Sequence, residues 1–166
     1  MPAPDLYIAV IGSGSPSPHE AALAQEVGLE IATAGALLVC GGLGGVMEAA
    51  CRGAKSAGGT TVAILPGASR RDANPYVDVA LPTGMGEMRN ALLVRASDAL
   101  VAVAGEFGTL SEIAFALKTG VPVVGLSTWE LAREGSVVNA IERAESARDA
   151  VETAMTRARE PARRIR

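Results

Sequence analysis

Short apolar runs alternate along this chain with glycine-closed stretches whose hydrophobic residues recur at helical spacing, and that alternation limits the fold more than any other feature. "LYIAVIG" (6–12) reads as a first strand. After the loop "SGSPSPHE", the stretch "AALAQEVGLEIATAG" reads as a helix closed by Gly35, a position helices commonly fill with glycine. "ALLVCGG" is a second strand, "GVMEAACRGAKSAGG" a second helix and "TTVAILPG" a third strand. "ASRRDANPY" is polar and loop-like, and "VDVALPTG" gives a short strand and a turn. "MGEMRNALLVRAS" reads as a helix, "DALVAVAG" as a strand, "TLSEIAFALKTG" as a helix with Gly120 at its end, and "VPVVGL" as a strand. Beyond these, residues 129–133 are expected to form a helical turn and "GSVVNAIE" a weak strand. "SARDAVETAMTRARE" is expected to be a helix capped by Ser146, with Asp149 three residues on.

Strand and helix in strict alternation imply right-handed crossovers, hence an α/β fold: a doubly wound parallel sheet of about six or seven strands with helices on both faces. All 166 residues are expected to form one domain, with 160–166 a flexible tail. The core must come from Val, Leu, Ile and Ala, because the aromatics are only Tyr7, Tyr76, Phe107, Phe115 and Trp129. In such a sheet ligands lie beyond the carboxyl ends of the strands, near the point where strand order reverses. The loops after Ile11, Cys40, Pro66 and Ala104, and the entry to the helix carrying Arg89, are therefore the ones expected to form a site.

A net charge of −3 and few aromatic platforms argue against nucleic acid as a partner. No apolar run approaches ~20 residues, so no membrane span is expected. "MPAPDLYIAVIG" has no basic leader and enters a strand pattern directly, so no signal peptide is expected and the protein is placed in the cytoplasm. Cys40 and Cys51 form no metal-type cluster and read as reduced, half-buried fillers; no metal site is expected. The single histidine, His19, reads as a solvated residue near a helix start.

The glycine loops carry the functional signal. "GSGSPS" (12–17) supplies Gly-x-Gly, but Ser17 holds the third glycine position, and the second strand ends in Cys40-Gly41-Gly42 without the acidic residue that binds ribose. That argues against a dinucleotide enzyme. Backbone N–H groups at a helix start attract anions, and "GGLGGVME" and "GEFGTLSE" each open a helix. Two such loops at neighbouring strand ends, with Arg89 in range, could hold one phosphate between them. The alternative is that these glycines only permit sharp turns.

Three blocks, "LLVCGGLGGVMEAACRGAKSAGGTTVAILPG", "GMGEMRNALLVRASDALVAVAGEFGTLSE" and "TGVPVVGL", together resemble the Lonely Guy (LOG) family, whose members were once called lysine decarboxylases. The resemblance runs from about residue 6 to 126. It implies a Rossmann-like fold, a homodimer or homotetramer, and binding of a small phosphorylated ligand, foremost a nucleoside 5′-monophosphate. It also implies N-glycosidic hydrolysis by the enzymatic branch, with no cofactor required. The family's catalytic arginine falls on Arg89 and its catalytic glutamate on Glu112. Gly105, Gly108 and Thr109 match the phosphate turn, and Gly45 and Met47 match the second loop. Gly12, Ser13, Gly42, Gly44, Asn90 and Glu106 complete the expected binding set. The chemistry suits these two side chains: a carboxylate can stabilise positive charge on a ribose ring and orient water, and an arginine holds phosphate at any physiological pH.

Two positions depart from the enzyme pattern PGGxGTxxE, and a third departs from the glutamate pair that closes it. Ala104 stands for the proline, Glu106 for the second glycine and Ser111 for the first glutamate of the pair. Were positive φ needed at position 106, glutamate there would cost roughly 1–2 kcal/mol. With "GTLSE" retained, the chain looks closer to the sister branch that includes molybdenum-cofactor carriers. The alternative function is therefore a non-catalytic carrier or nucleotide sensor holding an AMP-like nucleotide or molybdenum cofactor in the same pocket. A scaffold with a vestigial pocket is a third reading. Lysine decarboxylation is not expected: Lys55 and Lys118, the only lysines, fall at helix C-terminal ends, away from the site edge.

Overall fold

The computed structural model describes residues 6–160; the expected tail lies outside them except for Glu160. Nine strands and five helices follow in chain order: β1 (Tyr7–Gly12), α1 (Pro18–Thr33), β2 (Leu37–Cys40), α2 (Val46–Ser56), β3 (Thr61–Leu65), β4 (Val79–Pro82), α3 (Asn90–Arg95), β5 (Ala99–Val103), α4 (Phe107–Thr119), β6 (Val123–Leu126), β7 (Ala132–Arg133), β8 (Ser136–Val137), β9 (Glu142–Arg143) and α5 (Ala147–Ala158). Seven strands form one sheet in the order β4-β3-β2-β1-β5-β6-β9, every pairing parallel. This is the α/β Rossmann-like arrangement. Strand order reverses between β1 and β5, whose crossovers leave in opposite directions and open a crevice at their carboxyl ends.

The central strands are buried on both faces, which is why they read as continuous apolar runs; β5 is wholly buried along its length. One face carries α1, α2 and α5, with Val27, Ile31, Ala50, Val151 and Met155 in a core shared with Ile8, Val10 and Leu38. The other carries α3 and α4, where Leu93, Val94, Ile113 and Ala116 pack on Ala9, Ile11 and Leu100. The α1–α2 contact is backbone-close. A Cβ on Gly28 would run into the Ala50 carbonyl, and one on Gly53 into that of Gln25. Cys40 and Cys51 are fully buried rather than half-buried, with Sγ atoms 3.5 Å apart and both free.

Four expectations change. Helix α1 starts at Pro18, not Ala21: Ser17 caps it by accepting from Glu20 N, the Glu20 carboxylate accepts from Ser17 N, and Pro18 fills the first turn. The expected helix over 85–97 divides into a 3₁₀ turn, Gly86–Arg89, followed by α3. Residues 129–133 form no helical turn. β7 instead pairs with β8 through Glu134 (φ 49°) and Gly135 (φ 79°), a two-residue turn whose left-handed pair matches strand twist. The expected strand over 135–142 is split accordingly, and β9 supplies the seventh sheet strand. Among the described residues no helix is long and apolar enough to cross a membrane, and no cluster of His, Cys, Asp and Glu could hold a metal.

Candidate functional site

At the β1/β5 crevice lies a cavity of ≈ 320 Å³, the lower end of the range for small-ligand sites. All five expected segments contribute: Gly12, Ser13 and Gly14 after β1, Gly41 and Met47 around the start of α2, Pro66 after β3, Glu87, Arg89 and Asn90 before and at α3, and Glu106, Gly108, Thr109 and Glu112 from the β5–α4 turn.

Arg89 ends the 3₁₀ turn, which carries its side chain inward, so that this arginine is only 7% exposed. Its Nη1 donates to Asn90 Oδ1 at 2.6 Å and to Glu112 Oε1 at 3.4 Å; its Nε is buried with no acceptor among the described residues. Gly41 makes room for the guanidinium, since a Cβ there would stand 2.5 Å from Arg89 Nη2 and 2.8 Å from the Met47 sulfur. Glu112 lies in the second turn of α4 and is equally buried. Burial pushes its carboxyl up to about 7, and the neighbouring Arg89 only partly opposes that shift. Asn90 is fixed in turn by Nδ2 donating to Ser111 Oγ, which itself donates to the Gly108 carbonyl.

The β5–α4 turn resolves the question raised by its substitutions. Glu106 has φ −110° and is extended, so a glutamate there carries no left-handed strain. The positive-φ residues of the turn are Gly105 and Ala104, and the value at Ala104, φ 51°, is closed to the proline of the LOG pattern. The Ala104 N–H donates to the Leu126 carbonyl and its carbonyl accepts from Thr128 Oγ1, which hold the turn in place. Glu106 faces the cavity with Oε1 accepting from Ser13 Oγ at 3.3 Å, and Ser15 N donates to that same Ser13 oxygen. A carboxylate therefore stands beside the first turn of α4, where helix amides would otherwise attract an anion.

Not every expected residue lines this space. Gly42 (φ 80°) is turned against Ala63 and Leu65, and Asn74 pins its carbonyl; Gly45 (φ 72°) starts α2 against the carbonyls of Ser13 and Gly14; Gly44 is exposed outside it. The second loop thus meets the cavity through Gly41 and Met47. Gly105 (φ 114°), seated on the Thr109 side chain, lines a neighbouring cavity of ≈ 260 Å³ with Ser13, Glu20, Ala104, Glu106, Ser127 and Thr128. Gly14, Gly41, Pro66 and Glu87 were not among the expected site residues, nor was the buried Asn74 that braces the second loop. Gly41 carried a sequence signal, as the first residue after a strand that ends at the crevice. His19 is exposed on the first turn of α1, and Lys55 is held by Asp78 at the far end of α2.

Comparison with known proteins places this geometry in context. The model of the SLOG cluster4 family matches residues 5–161. An uncharacterized protein of Archaeoglobus fulgidus is 48% identical over 122 residues, covering 73% of this chain and 80% of its own. The molybdenum cofactor binding protein of Rippkaea orientalis superposes with a TM-score of 0.83 at 35% identity, over 91% of this chain and 96% of that one. The molybdenum cofactor carrier protein of Chlamydomonas reinhardtii gives 0.78 at 31% identity, over 93% and 99%.

Proposed function

This chain belongs to the SLOG cluster4 family, and from that premise and the cavity geometry we propose that it binds a small phosphorylated ligand as a carrier, with molybdenum cofactor as its cargo. The observation that carries the reading is the Arg89 guanidinium. It is a permanent charge buried at a cavity wall, one nitrogen of which has no acceptor among the described residues. Glu112 stands 3.4 Å away, but burial raises its carboxyl to about 7, so it offsets that charge only in part and an anionic ligand would complete the pairing. The similarity to a molybdenum cofactor binding protein over nine-tenths of the chain supports the cargo. The departures at Ala104, Glu106 and Ser111 support binding without hydrolysis, because Glu106 puts negative charge on the turn that the enzyme pattern gives to phosphate.

The second reading, hydrolysis of a nucleoside 5′-monophosphate, is favoured by one observation. Glu112, with a carboxyl near neutrality and Arg89 beside it, can exchange a proton at physiological pH. Both readings accommodate the homodimer or homotetramer implied by the family resemblance, and Met88 and Phe107 leave apolar surface exposed beside the site for such contacts.

Native mass spectrometry of the protein purified from cells that make molybdenum cofactor tests the proposal. The expected result is a co-purifying phosphorylated pterin, together with no free base released from AMP or isopentenyladenosine monophosphate. Base release that disappears in Glu112→Gln would overturn the carrier reading in favour of the hydrolase.

A further inference from the structure

Resting on the reading that a phosphorylated ligand occupies this cavity, we propose that Glu106 selects the ligand's ring: its carboxylate accepts the adjacent N–H donors of a 2-amino-4-oxopyrimidine edge, the edge shared by guanine and pterins. Among the described residues lining the cavity Arg89 is the one cation, while Glu87, Glu106 and Glu112 are carboxylates. A ligand that is anionic throughout is poorly matched to that wall. One with an anionic end for Arg89 and a donor-rich end for a carboxylate is well matched.

Glu106 is the carboxylate built for the second task. Glu112 pairs with Arg89, and among the described residues no hydrogen bond fixes the Glu87 carboxylate in the cavity. Glu106 is oriented by a relay in which Ser15 N donates to Ser13 Oγ and Ser13 Oγ donates to Glu106 Oε1. Ser13, at 7% exposure, is itself a buried part of the crevice. The other carboxylate oxygen meets no donor among the described residues. Glu106 also stands on the wall shared by both cavities, so a ring reaching from one toward the other passes this carboxylate. An ionised carboxylate accepts only. Guanine and pterin offer it two neighbouring N–H donors, hypoxanthine offers one, and adenine faces it with an acceptor nitrogen beside its amino group.

Isothermal titration of GMP, IMP and AMP into wild type and Glu106→Gln tests this, at slightly acidic pH where Glu112 keeps its proton. Wild type is expected to bind GMP about tenfold more tightly than AMP, the scale of one good two-point contact, with IMP between them. In Glu106→Gln the GMP-to-AMP ratio is expected to fall to about twofold or less, mainly through weaker GMP binding, with an unchanged melting temperature because the side chain is exposed. Equal affinities for GMP and AMP in wild type, or a ratio that survives in Glu106→Gln, would overturn the selectivity and leave the phosphate site standing. If none of the three nucleotides binds at millimolar concentration, the phosphate reading falls with it.

Discussion

Glu112 and Arg89 share a wall at which neither charge is fully compensated, and that arrangement has a pH signature. The Glu112 carboxyl is raised to about 7 by burial, from an ordinary value of 4.5. A proton bound more tightly in the folded state stabilises the fold below the unfolded pKa, and that contribution is lost as pH rises through about 7. Melting temperature is therefore expected to fall between pH 5 and pH 8 in the wild type. In Glu112→Gln that fall should be shallower by roughly 5 °C or more, read by calorimetry against the size-scaled relation between stability and melting temperature. Identical slopes would show that Glu112 titrates like a solvated carboxylate. At this scale the sequence singled out Arg89 and Glu112 through their motif context, and the fold brings both to one cavity wall. The sequence was silent where a residue acts by making room. Gly41 could be placed at the crevice as the first residue after β2, but the guanidinium 48 positions away that passes over it is encoded in no local pattern.

Elements were legible wherever periodicity was long, and their ends wherever a cap was written in side chains. Ser146 was readable as the start of α5 because Asp149 follows, and the Ser146 hydroxyl does accept from Asp149 N. The same logic applied to Ser17, Pro18 and Glu20 gives the true start of α1, a capping box that the proline-rich loop disguised. The segment after β6 misled because its two-residue strands are too short for a period to show; the turn at Glu134 and Gly135 decides them. Packing between α1 and α2 depends on two glycines inside helices, where glycine is otherwise unfavourable. Gly28→Ala is expected to cost about 3 kcal/mol, because the new Cβ meets the backbone of Ala50 rather than a movable side chain. That corresponds to a drop of about 10 °C in melting temperature. A change within about 2 °C would mean that the helices separate freely and that close packing there is dispensable.

For the molecule as a whole, seven parallel strands with the reversal between β1 and β5 bring together loops that lie far apart in sequence, from Gly12 to Glu112. The doubly wound parallel sheet was readable from the alternation of elements because right-handed crossovers leave few arrangements open; the order of its strands was not. Gly12 and Gly108 line the crevice as expected, but which glycines of the second loop would do so was not readable, because that loop turns some of its residues toward the sheet and others toward the cavity. Gly42 and Gly45 spend their left-handed conformations on shaping the second loop, and Gly41 is the one that reaches the cavity. The same convergence leaves a single cationic side chain, Arg89, among the described residues that wall the cavity. The central claim is therefore that a phosphate comes to rest against Arg89. A crystal soaked with GMP tests it most directly. The expected result is phosphate oxygens within hydrogen-bond distance of the Arg89 guanidinium, inside the cavity walled by Gly41 and Glu112. A cavity that stays empty at saturating nucleotide, or a phosphate bound only at another surface, would contradict it.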